Sequence, residues 1–493
     1  MNASLIILEL AVLILGLTLL LLDLWTDARH KPFLGYGAAA GLAVILAYSF
    51  YRFPGTEVAY AFGPDATHGP YLVDGLSLFF KRFFLLAAII VLIISVEFSD
   101  RIEAGITEFY SLIVFALAGM MFAASANDFT MLFVSVEMIT VTFYILTSFQ
   151  RSRLPSLEAG IKYLILGALS TALTVYGIAL VYGVSGTMSF PELAANTATL
   201  GTKPLFLLGV LLVVAGLGFK IAAFPLQIWA PDVYQGSPVP TTAFLAVGSK
   251  AAGFILLLRV LFTAVPDITA HWTTLLIVLS AVTILYGNLC AIPQRNLKRL
   301  LGYSSIAHAG YLLMGVAAMA ANLKNASYGG AAILYYLSGY LFTVLGAFAV
   351  LCLALRRVEG DDVSALAGLG QRSPLLATAM TLAMVSLAGI PPLAGFFGKF
   401  LLIRAALEQG AVNHAYYWLV AIAIAGVVMS LYYYFGVIRA MYWSKEVPDL
   451  TPIPISIPLR LTIYVCMAGM LYLGLFPNSM VNLANQAASF VKF

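Results

Sequence analysis

The stretch SLAGIPPLAGFFGKFLL, Ser386 to Leu402, places two prolines and a lysine inside an apolar run that extends from about 375 to 407. Pro391 and Pro392 each remove a backbone donor and clash with the preceding turn, so a helix through this run must break. Inside a bilayer, the freed backbone groups survive only where protein or a wet cavity satisfies them. The stretch therefore predicts a broken membrane helix that faces the interior of a helical bundle.

A second apolar stretch also combines a lysine with a proline. GLGFKIAAFPLQIW carries Lys220 beside Pro225, and the proline again predicts a break at membrane depth. A lysine beside such a break can donate hydrogen bonds to loose carbonyls when it is protonated and accept them from water when it is not. The two breaks therefore favour a proton-handling bundle over a purely structural one.

The composition agrees with a membrane protein. Of 493 residues, 62% are hydrophobic and only 10% are charged, against roughly 25% charged residues in soluble domains. Each apolar run is long enough to cross a hydrocarbon core about 30 Å thick. The fourteen runs lie at about 5–25, 34–50, 72–98, 108–126, 129–149, 158–184, 204–229, 238–264, 271–292, 298–320, 327–355, 375–407, 414–442 and 455–476.

Two polar pairs recur five spans apart. Lys220 in span seven and Lys399 in span twelve are separated by 179 positions, and Glu137 in span five and His308 in span ten by 171. Because five is odd, the second copy must enter the membrane from the opposite side. The spacing predicts an inverted repeat of the kind that secondary transporters use.

Several functions are excluded by composition and motif. Basic residues are scattered singly through the loops, which argues against a nucleic-acid partner. Cys290, Cys352 and Cys466 lie far apart in apolar runs, without the spacing of a zinc or iron–sulfur site. The sequence has no phosphate-binding loop or dinucleotide-binding motif. We expect no metal or cofactor in this chain and no electron transfer through it.

The orientation follows from the charges of the loops. Most lysines and arginines lie in or beside loops after odd-numbered spans, whereas loops after even-numbered spans hold only Arg52, Lys203 and Lys324. Positive residues are retained on the cytoplasmic side of a membrane. Both termini are therefore expected on the opposite, periplasmic side.

Five ionisable residues lie inside predicted spans: Glu137, Lys220, Lys250, His308 and Lys399. A charge at the bilayer centre costs on the order of 3 kcal/mol, so such residues are functional candidates by default. Lys220 and Lys250 lie roughly ten residues, or about 15 Å, from the nearest apolar end, which is farther than a lysine side chain reaches. The five residues are the predicted proton path.

Charged residues nearer the span ends have simpler explanations. Lys81 and Arg82 in span three, Glu9 and Asp23 in span one, and Arg259 late in span eight are expected to be interfacial anchors.

Glu158 and Lys162 have i,i+4 spacing at the cytoplasmic start of span six. Such spacing suits a simple surface ion pair, and the same two residues could equally form the mouth of a proton path. Both interpretations remain open at this point.

Five ordered motifs resemble those of a known family. They are VSVEMITVTFYILTSF, GFKIAAFPLQIWAPDVYQGSP, VGSKAAGFILLLRV, NLKRLLGYSSIAHAGYLL and GIPPLAGFFGKFLLIRAA. Together they resemble subunit N of bacterial NADH-quinone oxidoreductase, respiratory complex I, an antiporter-like membrane subunit family.

The resemblance implies an all-α polytopic membrane protein of about 14 transmembrane helices, with two inverted five-helix repeats and broken helices 7 and 12. The implied units are 1–106 for helices 1–3, 107–265 for the first repeat with helices 4–8, 266–445 for the inverted second repeat with helices 9–13, and 446–493 for helix 14.

The resemblance also implies roles for the candidate residues. Glu137 and Lys220 would form the charged pair of the intake half-channel, and Lys250 would connect it to Lys399 on the exit side. His308 would belong to the polar axis that joins the two halves. The related subunit M has glutamate at the position of Lys399, which favours subunit N.

The implied partners are the neighbouring antiporter-like subunit M, small subunits such as K and J, and the lipid bilayer of a bacterial inner membrane. FMN, iron–sulfur clusters and quinone are expected in other subunits. The alternatives are a subunit of a multi-subunit cation/proton antiporter or of a membrane-bound hydrogenase, a subunit that binds quinone itself, and a structural spacer.

Overall fold

The computed structural model of the chain describes residues 3–54, 58–63, 69–323, 326–356, 360–444 and 450–489, so Lys324 lies outside the described residues. Apart from one small hairpin, its regular structure is helical. The helices are α1 (Ile7–Asp23), α2 (Leu34–Arg52), α3 (Gly75–Glu97), α4 (Ile106–Ala124), α5 (Phe129–Thr147), α6 (Leu154–Ser185), α7 (Phe190–Ala195), α8 (Thr197–Leu200), α9 (Pro204–Ile221), α10 (Trp229–Gly236), α11 (Val239–Phe244), α12 (Lys250–Arg259), α13 (Pro266–His271), α14 (Thr273–Ala291), α15 (Leu297–Ala321), α16 (Ala326–Ala354), α17 (Leu369–Arg372), α18 (Pro374–Ala388), α19 (Ala394–Gln409), α20 (Ala415–Trp443), α21 (Ile457–Leu475) and α22 (Pro477–Ala488); the strands are β1 (Ala59–Ala61) and β2 (Tyr71–Val73).

Within these residues, 13 helical segments are long and apolar enough to cross a membrane, with α11 and α12 belonging to one segment, Val239–Ala264. The remaining crossing is made by α18 and α19 together, which have 15 and 16 residues where about 20 are needed. The expectation of about fourteen transmembrane helices is confirmed.

Both predicted helix breaks are present. Between α9 and α10, Ala222 adopts a left-handed backbone with φ of 58°, followed by a cis peptide bond at Phe224–Pro225. Between α18 and α19, Gly389 has φ of 85°, followed by a cis peptide bond at Pro391–Pro392. Glycine adopts this conformation without steric cost, whereas alanine is strained in it. The two broken spans therefore share one backbone pattern.

A pair of backbone bridges shows the inverted repeat directly. Asp128, which precedes α5, bridges Ser189, and Asn296, which precedes α15, bridges Asp362. Asp128 and Asn296 lie 168 positions apart, and each caps its helix by accepting a hydrogen bond from a backbone N–H three residues on. Because α5 and α15 are the fifth and tenth spans, the two bridges lie at opposite membrane faces.

The helix packing repeats as well. Five pairs of contacting spans recur in the two repeats. In the first repeat the pairs are four and five, five and six, six and seven, seven and eight, and four and eight; in the second they are nine and ten, ten and eleven, eleven and twelve, twelve and thirteen, and nine and thirteen. Of the predicted unit boundaries, 106/107 falls one residue inside α4 and 265/266 falls at the start of α13. The boundary at 445/446 falls outside the described residues.

Several elements were not predicted, among them a small hairpin and the last helix. β1 and β2 form an antiparallel hairpin between α2 and α3, and Tyr71 of β2 bridges Ala126 after α4. This pairing ties the first three spans to the first repeat. The chain also continues beyond the last span into α22, which packs on α16 and α3.

Three residues that were expected to be interfacial anchors lie instead in buried ion pairs, so the expectation was wrong for Glu9, Lys81 and Arg259. Lys81 binds Glu9 at 2.9 Å, with side chains 1% and 0% exposed. Arg259 holds both carboxylate oxygens of Asp74 at 2.8 Å. The sequence could not show that these charges meet across α1, α3 and α12, because the partners are far apart along the chain.

The eighth span is irregular on both sides of α12. π-Helical turns at Leu245–Ser249 and Val260–Ala264 flank it, so that Lys250 and Arg259 are its first and last residues. Turns of this kind are rare and occur mostly at functional sites. α12 is therefore a ten-residue rod with a buried cation at each end.

Candidate functional site

Buried polar side chains form a band through the middle of the bundle. The five predicted residues lie on five different spans, Glu137 on α5, Lys220 on α9, Lys250 on α12, His308 on α15 and Lys399 on α19. The lysines and the histidine are all buried, and Glu137 is half-buried. The structure places the five in one band, but no hydrogen bond or ion pair joins any two of them among the described residues.

Lys220 lies in the last turn of α9, directly before the break, and is 5% exposed. Its ammonium donates a hydrogen bond to the hydroxyl of Thr140 on α5. Glu137, one turn earlier on α5, accepts a hydrogen bond from Thr171 of α6 at 2.7 Å. Among the described residues no hydrogen bond or ion pair joins Glu137 to Lys220, and each is hydrogen-bonded to a threonine instead. Their role as a charged pair stays a prediction.

Tyr163 of α6 lies between the first two lysines. The ammonium of Lys220 is 5.9 Å from the centroid of its ring. Its buried hydroxyl lies near Ser249, the residue before Lys250, and has no hydrogen-bond partner among the described residues. A phenol can donate and accept at once, so Tyr163 is suited to relay a proton between the two lysines.

Lys250 is held by a single residue of the second repeat. Its ammonium donates to both the carbonyl and the hydroxyl of Ser305 on α15. The same hydroxyl meets the hydroxyls of Tyr234 at 3.0 Å and Tyr340 at 3.2 Å. Ser305 therefore joins Lys250 to α10 and α16.

His308 lies one turn further along α15. Its Nδ1 is hydrogen-bonded to the hydroxyl of Tyr336, and its Nε2 lies 3.1 Å from the hydroxyl of Tyr434. The ring of Tyr340 is 5.2 Å from that of His308 and 5.9 Å from the ammonium of Lys250. The ring of Tyr311 is 6.2 Å from that of His308 and 5.1 Å from the ammonium of Lys399. His308 therefore lies in the polar band between Lys250 and Lys399.

Lys399 binds backbone carbonyls that the break at Pro391 and Pro392 leaves free. Its ammonium donates to the carbonyls of Leu387 at 2.7 Å and Ala388 at 3.1 Å, the last residues of α18 before the break. Those carbonyls have no helical partner because the helix stops there. The broken helix therefore supplies the acceptors of a buried cation, which a continuous helix could not.

The two repeats do not align as the sequence suggested. At the 168-residue spacing of the capping residues, Thr140, the partner of Lys220, corresponds to His308, and Glu137 corresponds to Ser305. The predicted pairing of Glu137 with His308 was therefore wrong by three residues, close to one helical turn. Lys220 precedes its break whereas Lys399 follows its own, so these lysines are not positional counterparts either.

Glu158 and Lys162 belong to a partly exposed ion network. Lys162, with its side chain 40% exposed, binds Glu158 at 2.6 Å and Asp232 at 2.7 Å. Asp232 also binds Arg299 at 2.5 Å. Sequence reasoning did not single out Asp232, although its place in WAPDVYQGSP just after a break is a usable signal. The network joins α6, α10 and α15 at one end of the bundle.

α10 links this network to Lys220. Trp229, on the first turn of α10, donates to the carbonyl of Phe219 at 2.9 Å, and its ring lies 5.0 Å from that of Tyr163. In the part of the chain that the structure describes, no group of three His, Cys, Asp or Glu residues could hold a metal ion.

Residues 126–430 match the family described as NADH:quinone oxidoreductase/Mrp antiporter, TM. The broken helices, the inverted repeat and this match define an antiporter-like membrane subunit, a multi-pass membrane protein that works in a larger assembly. NADH-quinone oxidoreductase subunit N of Desulforamulus reducens is 40% identical over 488 residues, which cover 99% of this chain and 98% of that protein. The chain belongs to the subunit N family of NADH-quinone oxidoreductase.

The chain is also similar to a subunit of another dehydrogenase and to two solved structures. F(420)H(2) dehydrogenase subunit N of Methanosarcina mazei is 37% identical over 494 residues, 97% of each chain. A chain of respiratory complex I from Thermus thermophilus with bound aureothin superposes with a TM-score of 0.78 at 34% identity, covering 97% of this chain and 99% of that one. A chain of the Mrp complex from Dietzia sp. has a TM-score of 0.83, with 100% and 98% covered, but only 22% identity, so it shares the fold alone.

Proposed function

We propose that this chain translocates protons through Glu137, Lys220, Lys250, His308 and Lys399 while other subunits transfer electrons from NADH to quinone. The observation that carries the proposal is that each buried lysine contacts hydroxyl or carbonyl groups, above all the contact of Lys250 with Ser305 across the two repeats. Buried lysines that contact hydroxyls and free carbonyls can gain and lose protons in place.

The steps follow the order of the band. A change in the electrostatics around Glu137 shifts a proton from Lys220 toward Lys250 by way of hydroxyl groups such as that of Tyr163. Lys250 passes it through Ser305 toward His308 and Lys399, and Lys399 releases it. Two neighbouring protonated lysines repel each other, so protonation of one favours release from the next. Glu158 and Lys162, with Asp232, would form the mouth of the intake path.

The assembly around the chain is part of the proposal. We place the chain in a bacterial inner membrane with both termini periplasmic, beside subunit M and small subunits such as K and J. The chain itself would hold no redox centre, and FMN, iron–sulfur clusters and quinone would bind elsewhere in the complex. Because subunit N relatives occur with different named electron donors, donor choice would lie with other subunits.

The experiment that tests this function purifies the native complex through a tag on this chain and reconstitutes it in liposomes. We expect NADH-quinone reductase activity to copurify, and NADH addition to acidify the compartment that receives protons. The outcome that would overturn the proposal is a preparation that lacks NADH oxidation but collapses an imposed pH gradient when sodium is added. That result would make the chain a cation/proton antiporter subunit.

A Ser305→Ala variant should lower NADH-driven proton pumping about tenfold, because Lys250 loses its hydroxyl partner at a buried site and general acid–base steps depend on such positioning. The measurement is lumen acidification per NADH oxidised in membrane vesicles. Ser430→Ala is the control, since among the described residues this buried hydroxyl donates to the carbonyl of Val427 in its own helix and to no other group. Equal pumping by the two variants would remove Ser305 from the path.

A further inference from the structure

An apolar groove opens on the outer surface of the bundle, away from the proton path. It lies between α2, α3, α16, α21 and α22 and has a volume of about 440 Å³, within the usual range of small-molecule sites. Its walls are almost wholly apolar, with Leu46, Phe79, Leu341 and Leu483 among them. None of the residues proposed for proton transfer lines it.

One cation lies on the wall of this groove. Arg82 of α3 donates through Nη2 to the carbonyls of Ser49 at 3.1 Å and Phe53 at 2.7 Å, and through Nε to the hydroxyl of Ser49 at 3.4 Å. These carbonyls belong to the last turn of α2 and the residue after it, so the guanidinium lies at the level where α2 leaves the membrane. The ring of Phe50 stacks under it at 4.1 Å.

The guanidinium still has donors to offer. Its Nη1 group has no hydrogen-bond partner among the described residues, while Nε and Nη2 are engaged. No carboxylate within 4.0 Å neutralises Arg82 in the described part of the chain. An arginine in this state is a ready partner for a phosphate, which its planar fork binds through paired hydrogen bonds.

The dimensions of the groove match one leaflet. Along α3 its lining extends from Gly75 to Leu86, or about 16 Å at 1.5 Å per residue, and half of a hydrocarbon core about 30 Å thick is about 15 Å. Arg82 itself lies seven residues along α3 from Gly75, but its guanidinium reaches back to the carbonyls at the end of α2. The part of the groove toward Leu46 and Leu86 is apolar. A molecule with an anionic head and a long apolar tail fits both features.

We infer that the groove binds one anionic phospholipid from the leaflet on the side where α2 ends, with its phosphate at Arg82 and an acyl chain along α3 and α22. The inference is independent of the proposed proton path. A quinone has a similar tail, but its head is neutral and would leave the guanidinium without a counter-charge. The lipid would fix α22 and the first three spans against the second repeat.

The test uses the intact complex in vesicles that contain phosphatidylglycerol or phosphatidylcholine with the same photoactivatable acyl chain. We expect the anionic probe to label peptides of α3 and α22 about tenfold more than the zwitterionic one, as a charge-assisted contact predicts. Equal labelling by the two probes, absence of label in the groove, or competition by a short-chain quinone but not by unlabelled phosphatidylglycerol would each overturn the inference.

Two variants and a control sharpen the result. Arg82→Gln keeps an amide donor but loses the charge, and it should reduce labelling by phosphatidylglycerol to the level of phosphatidylcholine. Arg52→Gln is the control, because Arg52 is an exposed cation near the same end of α2 that does not line the groove. If Arg82→Gln fails to assemble, the Leu483→Trp variant tests the site instead. The larger side chain on exposed α22 should exclude both probes from the groove. Retained labelling would overturn the inference.

Discussion

A Lys220→Met variant should assemble normally and retain less than about a tenth of the NADH-driven proton pumping, the scale on which loss of a proton-transfer group acts. Methionine has a similar length and suits the apolar surroundings of a residue that is only 5% exposed, so the fold should tolerate it. What disappears is the ammonium group that donates a hydrogen bond to Thr140, about one turn along α5 from Glu137. NADH oxidation and lumen acidification, followed together in inverted membrane vesicles, measure the effect.

The matched control is Lys203→Met, which makes the same replacement at the exposed cap of the same helix. It should leave both rates unchanged. If the Lys220→Met complex is assembled and both oxidation and acidification persist, Lys220 is structural and the proposed path through this chain is wrong. If only the control fails, the charge at the surface matters more than the buried one.

An Arg259→Met variant should lose about 3–5 kcal/mol of stability, because it leaves the carboxylate of Asp74 buried without a countercharge. Both partners are almost fully buried, at 1% and 4% exposure. Asp74 also caps α3 by accepting from the N–H of Ser77, so the destabilisation should spread to the start of that helix. The amount of the subunit in membranes and the melting temperature of the purified complex report it.

A double variant separates the charge from the packing. Asp74→Ser with Arg259→Met removes both charges and keeps a residue that can cap α3, so it should recover part of the lost stability. Arg404→Ala, which breaks an exposed pair with Glu408, should change neither measure. A double variant no better than Arg259→Met alone would show that the arginine acts by volume and not by charge.

The breaks and the buried cations could be predicted from the sequence because proline and lysine are costly in a membrane and therefore conspicuous. The hydroxyls that connect them could not, because Thr140, Ser305 and Tyr163 are ordinary residues of a membrane helix. Only the fold shows which of many such hydroxyls meets an ammonium group.

Long-range pairing explains the other differences. The register of the two repeats follows from the helix caps and backbone bridges at Asp128 and Asn296. The spacing of Glu137 and His308 differs from that register by three residues. Arg259 was expected at the interface because it lies late in span eight, and its pairing with Asp74 could not be foreseen because the two lie 185 positions apart. The β1–β2 hairpin consists of two three-residue strands, and strands that short carry too little pattern to be recognised.

The position of α12 between two π-helical turns restricts how Lys250 can move. Turning α12 about its axis would carry Lys250 away from Ser305, but the rod is rigid, so Arg259 at its far end would have to leave Asp74 in the same motion. The distance between the two ends is nine residues, or about 14 Å. Turning the helix thus requires breaking the buried Arg259–Asp74 ion pair in every transport cycle. Rotation of Lys250 about its own side-chain bonds leaves this ion pair intact. We therefore expect proton transfer at Lys250 to proceed by side-chain rotation over a stationary backbone.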